Sequence, residues 1–191
     1  MNVLVRQASS ADLEAAARVL AAAFDDYPWT RWAIPEDGYL GRLERLQHLY
    51  LSHALENGVV LVDDEVRAVA AFLPPDVPAM SQERQKRVAE LHGSRLSALA
   101  AVVLPEPPRR SWSLATLGVH PARQGAGLGS ALITAGLALA DRDAAPGGVA
   151  LETSDERNVR LYRRSGFTVT AETPIADGPT VYSMSRPPGT A

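Results

Sequence analysis

The chain of 191 residues contains no cysteine. That excludes a disulfide framework, a cysteine-ligated metal and a thiol nucleophile. No apolar run reaches the roughly 18 to 20 residues that a membrane-spanning helix needs. Met1 to Gln7 alternates like a strand and lacks the basic and apolar regions of a signal peptide, so a cytoplasmic location with no membrane partner is expected. An excess of positive charge is missing too. The formal net charge is −3, which argues against a nucleic-acid partner. His48 and His53 lie five apart in a helical stretch and suit neither metal ligation nor a triad, so no metal is expected. Aromatic residues make up only 6% of the chain, and this scarcity gives weight to their clustering between Phe24 and Tyr39.

Hydrophobic residues at 46% and charged residues at 21% describe an ordinary globular domain, spanning residues 1–188 with a short tail at 189–191. The pattern predicts a strand over Asn2–Gln7 and a helix from Ser10 to Phe24. An aromatic loop then runs to Pro35, followed by a helix over Tyr39–Leu55. Val59–Val62 and Val66–Phe72 read as a hairpin across Asp63-Asp64-Glu65. Ser81 to Val103 is helical with a break near Gly93, and Pro105, Pro107 and Pro108 stiffen the connection that follows. A strand over Trp112–Val119, a helix over Leu128–Arg142 and a strand over Val149–Thr153 come next. Ser154 is expected to cap a helix over Asp155–Arg164, which ends at Gly166. Phe167–Thr173 and Thr180–Ser185 form a last hairpin. Strands on either side of a crossover helix run parallel if they are neighbours, and the hairpins add antiparallel strands. The expected fold class is therefore α/β, a mixed central β-sheet of about seven strands flanked by helices.

The most informative stretch joins the Trp112–Val119 strand to the next helix: His120-Pro121-Ala122-Arg123-Gln124-Gly125-Ala126-Gly127-Leu128-Gly129-Ser130. Alternating glycines let the backbone turn without a Cβ in the way. Their N–H groups can converge on an anion at a helix N-terminus, with Arg123 and Gln124 as further donors. Neither a Walker loop nor a dinucleotide fingerprint fits, because the Lys-Ser/Thr pair of the first and the glycine spacing of the second are absent.

The order Q-x-x-G-x-G after a strand ending V-H-P resembles the acetyl-CoA loop of the GCN5-related N-acetyltransferase (GNAT) superfamily. A second stretch, Leu161-Tyr162-Arg163-Arg164-Ser165-Gly166-Phe167, is similar to that superfamily's L-Y-x-x-x-G-F signature. The resemblance implies a GNAT fold and acetyl-CoA as donor, with CoA as product. The pyrophosphate would sit on the amides of Gln124, Gly125, Ala126, Gly127, Leu128, Gly129 and Ser130. It further implies that the pantetheine arm pairs with the backbone near Leu117 and Val119, and that the Val119 N–H meets the thioester carbonyl. Tyr162 would be the general acid, since a phenol can protonate a departing thiolate. Many relatives carry Asn seven residues before this Tyr. Here that position is Asp155 and the nearest Asn is Asn158, which is assigned to the cofactor on that weaker basis.

The strand before the glycine turn holds no carboxylate, where many relatives have a Glu. Glu152 on the following strand is the nearest candidate base. His120 reads as a strand-end histidine rather than a base. Phe24, Asp25, Tyr27, Trp29, Trp32 and Tyr39 are assigned to the acceptor, because aromatic faces with a nearby carboxylate suit a planar or amine-bearing ligand.

The likeness extends to the puromycin-acetylating members of the superfamily through Phe24-Asp25-Asp26-Tyr27-Pro28, Leu91-His92-Gly93-Ser94-Arg95-Leu96, Leu114-Ala115-Thr116-Leu117-Gly118-Val119 and Leu151-Glu152-Thr153-Ser154. It implies direct acetyl transfer to an amine of a small molecule, of the aminonucleoside-antibiotic kind. A protein or peptide acetyltransferase and a non-catalytic acetyl-CoA-binding module stay open beside it. A homodimer is compatible with the sequence.

Overall fold

The computed structural model describes residues 3–143 and 145–189. Asn2, where the first strand was expected to begin, and residues 190 and 191 of the tail lie outside the described residues. A seven-stranded sheet runs β1 (Val5–Gln7), β2 (Val59–Asp63), β3 (Ala68–Leu73), β4 (Trp112–Val119), β5 (Val149–Thr153), β7 (Thr180–Arg186) and β6 (Thr168–Pro174) in spatial order. β4 and β5 run parallel, and the other neighbours pair antiparallel. This is the mixed sheet expected from the alternation of hairpins with a crossover helix.

Helices cover both faces. On one lie α1 (Leu13–Ala23), α2 (Pro28–Ala33), α3 (Tyr39–Asn57), α4 (Gln82–His92) and α5 (Leu96–Ala100). α1 and α3 bury Ala16, Ala17, Leu20, Leu51 and Ala54 against Val60, Val62, Val69 and Ala71 of the sheet. On the other face lie α6 (Leu128–Arg142) and α7 (Glu156–Arg164), and their Leu132, Ile133, Val159 and Tyr162 share a core with Phe72, Leu114, Leu151 and Met184. α6 lies close enough that a Cβ at Gly136 would stand 2.0 Å from Cε2 of Phe72, so only glycine fits there.

Three local details depart from the sequence pattern. Val66 does not start β3. It sits in the hairpin turn at φ +53°, a left-handed conformation uncommon for a β-branched residue. The buried Asp63 carboxylate over-determines that turn by accepting from the backbone N–H groups of Arg67 and Ala68 and from Arg67 Nε. The aromatic loop contains a short helix, α2. Its first residue, Pro28, has φ preset for helix, and Thr30 Oγ1 donates to the carbonyls of Phe24 (2.7 Å) and Tyr27 (2.9 Å). The cap of α7 is Asp155 rather than Ser154. Its carboxylate accepts from Arg157 N at 2.8 Å, while Ser154 Oγ accepts from Trp29 N at 3.1 Å.

Candidate active site

β4 and β5 start as partners, with Trp112 opposite Val149 and Ser113 opposite Ala150, and then part. From Leu114 onward the β5-facing edge of β4 is open. His120 N donates to Arg67 O at 2.8 Å, toward β3. Because strand amides alternate sides, the N–H and C=O groups of Leu117 and Val119 turn the other way, into the gap. Beyond the strand end, Gly125 and Gly127 both adopt φ +80°, and a Cβ at either would meet nothing within 4 Å. Glycine is needed there for the backbone conformation, not for crowding. Among the described residues no acceptor takes the amides of Gly125, Ala126, Gly127, Leu128, Gly129 or Ser130. They stand at the N-terminus of α6, a 15-residue helix whose dipole adds positive potential. Unpaired amides at a helix N-terminus beside an open strand edge fit the pyrophosphate and amide-bearing arm of a CoA thioester. Arg123 is exposed beside them. Gln124 turns back, with Nε2 donating to Val119 O at 3.3 Å. His120 serves the turn itself, its Nδ1 accepting from Ala122 N at 3.3 Å.

A cavity of about 790 Å³ joins this open edge to the aromatic segment, and Leu117, Glu152, Asn158 and Tyr162 share its wall with Phe24, Tyr27 and Trp29. Tyr27 ties the two parts together. Its hydroxyl accepts from Ser154 N at 2.7 Å and lies 2.9 Å from Thr153 Oγ1, at the end of β5. Asp25, Trp32 and Tyr39, the other three residues expected at the acceptor, do not line the cavity. Asp25 is paired with Arg31 at 2.7 Å, so its charge is already matched. Arg31 also lies over the Tyr39 ring, 4.0 Å from its centroid. The Tyr39 hydroxyl is 3.0 Å from both Asp25 O and Thr30 Oγ1. Trp32 is buried under Trp29, with ring centroids 5.2 Å apart. These three hold the segment in place, because a loop carrying large rings must bury most of them somewhere other than in a ligand site.

Tyr162 is buried, its ring 5.9 Å from that of Phe167 in an edge-on arrangement. Burial, with a smaller push from Tyr27, raises its phenol far above the ordinary tyrosine range, so it stays protonated. No protein group among the described residues hydrogen-bonds its oxygen. Glu152 projects from β5 into the cavity, and crowding by protein pushes its carboxyl up. It forms no ion pair among the described residues. Asn158 Nδ2 donates weakly, at 3.4 Å, to Thr153 Oγ1. Asp155 pairs with Arg157 at 2.7 Å, which together with its capping bond holds its carboxyl below the usual range. The position where relatives carry Asn is thus given over to capping.

A further pair of side chains meets on the cavity wall. His92 Nδ1 donates to Ala33 O at 2.9 Å, which leaves Nε2 to accept from Tyr50 OH at 3.3 Å. Burial lowers the His92 pKa and raises that of Tyr50, so both are neutral. Tyr50 was legible only as one more member of the α3 core stripe, and His92 carried no local signal.

Residues 86–169, which contain the strand edge, the glycine turn, Glu152 and Tyr162, match the family model described as acetyltransferase (GNAT) domain. Residues 86–169 are thus a match to a GNAT acetyltransferase domain, and the chain is an acyltransferase that uses acetyl-CoA. The GNAT fold extends to the rest of the chain. A structure from Corynebacterium glutamicum, described as histone acetyltransferase HPA2 and related acetyltransferase, is 27% identical with a TM-score of 0.79, covering 100% of this chain and 99% of that one. Arylalkylamine N-acetyltransferase 2 from Aedes aegypti is 15% identical with a TM-score of 0.66, covering 99% and 100%. The ribosomal-protein-S18-alanine N-acetyltransferase from Escherichia coli is 18% identical with a TM-score of 0.56, covering 100% and 96%. GNAT neighbours therefore include enzymes named for small amines and for a protein.

Proposed function

We propose that this GNAT enzyme acetylates a primary amine of a small molecule, with a puromycin-like aminonucleoside antibiotic as the first acceptor to test. The observation that carries the reading is the cavity of about 790 Å³, walled by Phe24, Tyr27 and Trp29, that opens onto the free edge of β4. A volume of that order suits a drug-sized ligand. The rings offer apolar faces while the carboxylate at the inner wall meets an amine. The resemblance of the segments around Phe24 and Glu152 to the puromycin-acetylating members points the same way. We also take residues 1–188 as one domain working in the cytoplasm, a compartment that suits a chain without cysteine.

Acetyl-CoA, when bound, supplies the activated acetyl group. The amides of Gly125 to Ser130, with Arg123 and Gln124, would hold its pyrophosphate, and Leu117 and Val119 its arm. The Val119 N–H would polarise the acetyl carbonyl. Glu152 takes a proton from the acceptor nitrogen, directly or through water, as the new C–N bond forms. Tyr162 gives its proton to the sulfur as the C–S bond breaks, and solvent resets both groups. Its elevated pKa keeps the phenol protonated in the resting site. Release of CoA from acetyl-CoA by purified protein across an amine panel that includes puromycin tests the proposal. Acetylated peptides with no acetylated small amine would favour a protein substrate, and cofactor binding without turnover would favour a non-catalytic module.

A further inference from the structure

Two polar side-chain ends on the sheet wall of the cavity have no protein partner among the described residues, and they oppose each other across one strand pair. One is the Glu152 carboxylate. The other is Ser183 Oγ, buried and without any hydrogen bond, the one buried side-chain polar atom so left among the described residues. β5 and β7 pair antiparallel with Glu152 opposite Ser183. Their neighbours Leu151 and Met184 point into the core beneath α6 and α7, so Glu152 and Ser183 point to the cavity side, and both line it. Directly opposed side chains of this kind have Cβ atoms about 4.5–5.5 Å apart, within one rotamer change or one bridging water of an O–H···O⁻ bond. Thr170 Oγ1, the nearest hydroxyl on β6, donates to the Ser183 carbonyl at 3.1 Å and leaves the Ser183 hydroxyl unserved. A buried hydroxyl left without a partner is costly, and its position opposite a carboxylate gives it an obvious one.

We propose that Ser183 is a positioning residue for Glu152: its hydroxyl donates to the carboxylate, directly or through one water, and holds it toward the acceptor amine. The inference rests on the reading of Glu152 as proton acceptor. A donated hydrogen bond favours the carboxylate form and so works against the partial desolvation that raises the Glu152 pKa. The other titratable groups facing the cavity are Tyr27 after α1, Tyr50 and His53 on α3, His92 at the end of α4, Glu106 in the proline-rich connection and Tyr162 on α7. Among the described residues, none of them hydrogen-bonds or ion-pairs with Glu152, so Ser183 has no competitor for it.

The test is the pH dependence of kcat/KM with puromycin, tyramine and phenethylamine as acceptors. Ser183→Ala should move the acid limb upward by roughly half to one pH unit, a loss of about 3- to 10-fold at pH values on that limb. The KM for acetyl-CoA should stay within about twofold. Ser183→Thr, which keeps a hydroxyl, should bring the limb back. In a Glu152→Gln background Ser183→Ala should have no further effect. An unmoved limb in Ser183→Ala, or an equal loss with and without Glu152, overturns the inference while leaving the acetyltransfer reading intact. An unmoved limb in Glu152→Gln sinks the base assignment as well, and wild-type protein that turns over none of the three amines removes both.

Discussion

At the proposed cofactor end of the cleft the free groups are backbone: the open edge of β4 at Leu117 and Val119 and the amides from Gly125 to Ser130. At the proposed acceptor end they are side chains, and they come from everywhere. Phe24, Tyr27 and Trp29 arrive from the segment around α2, Tyr50 from α3, His92 from α4, Glu152 from β5 and Ser183 from β7. The first end needs a turn that only glycine allows and a strand that has lost its neighbour. Both are properties of one short stretch of chain. The second end needs distant elements to converge, and each side chain there must also satisfy its own packing. That explains why Asp25, Trp32 and Tyr39 look like ligand contacts in sequence yet serve as supports.

The contrast can be tested by breaking each end in turn. The largest effect is expected at the junction of the two. Tyr162→Phe should lower kcat by about 100-fold or more, the usual worth of a general acid, with acetyl-CoA affinity by calorimetry within about threefold. Unchanged turnover would remove Tyr162 from the mechanism. Gly127→Val, which forces a β-branched residue to φ +80° and crowds the amides, should raise the acetyl-CoA KM by roughly 30-fold and leave the amine KM nearly untouched. Equal damage to both would mean that the ends are not separable.

Glu152→Gln should cost about 10-fold in kcat/KM at neutral pH. The sign of its pH dependence follows from the raised pKa. The carboxylate is available above that value, so wild-type activity falls as pH drops through a point above the ordinary carboxylate range, and this limb should vanish in the variant. Tyr27→Phe removes the acceptor for Ser154 N and the link to Thr153, which should cost about 1–2 kcal/mol in denaturant unfolding and raise the amine KM about threefold. Unfolding unaffected by that change would mean that the aromatic segment is held by its rings alone. The smallest effect is expected at His120→Ala, which loses one long capping bond and should keep activity within about twofold. A large loss there would restore His120 as a base candidate.

Much of the scaffold was legible in the chain itself. The periodicity of Leu128 to Arg142, the hairpins flanking it and the alternation in Trp112 to Val119 gave the mixed sheet, since each follows from local hydrophobic spacing. Other features were hidden because they rest on bonds between residues that the pattern treats separately. The Asp63 carboxylate moves the start of β3 past Val66, Pro28 and Thr30 turn a loop into a helix, and Asp155 takes the cap expected of Ser154. Of the residues proposed for the site, the sequence pointed to Tyr162, Glu152, Phe24, Tyr27 and Trp29, which the fold brings around one cavity, and to the glycine turn. It did not point to Tyr50, His92 and Ser183, because a helix tyrosine, a lone histidine and a strand serine carry no spacing signal.

The sequence alone determined the turn that leaves amides free at the start of one helix, because glycines at Gly125 and Gly127 permit a backbone conformation that other residues resist. It also determined the order of strands and helices, which is set by local spacing. Only the tertiary structure decided which groups share the cavity. Strand register places Ser183 opposite Glu152, and the parting of β4 from β5 opens the edge that the cavity meets. Those juxtapositions come from pairing and packing across the whole chain, and no window of sequence contains them.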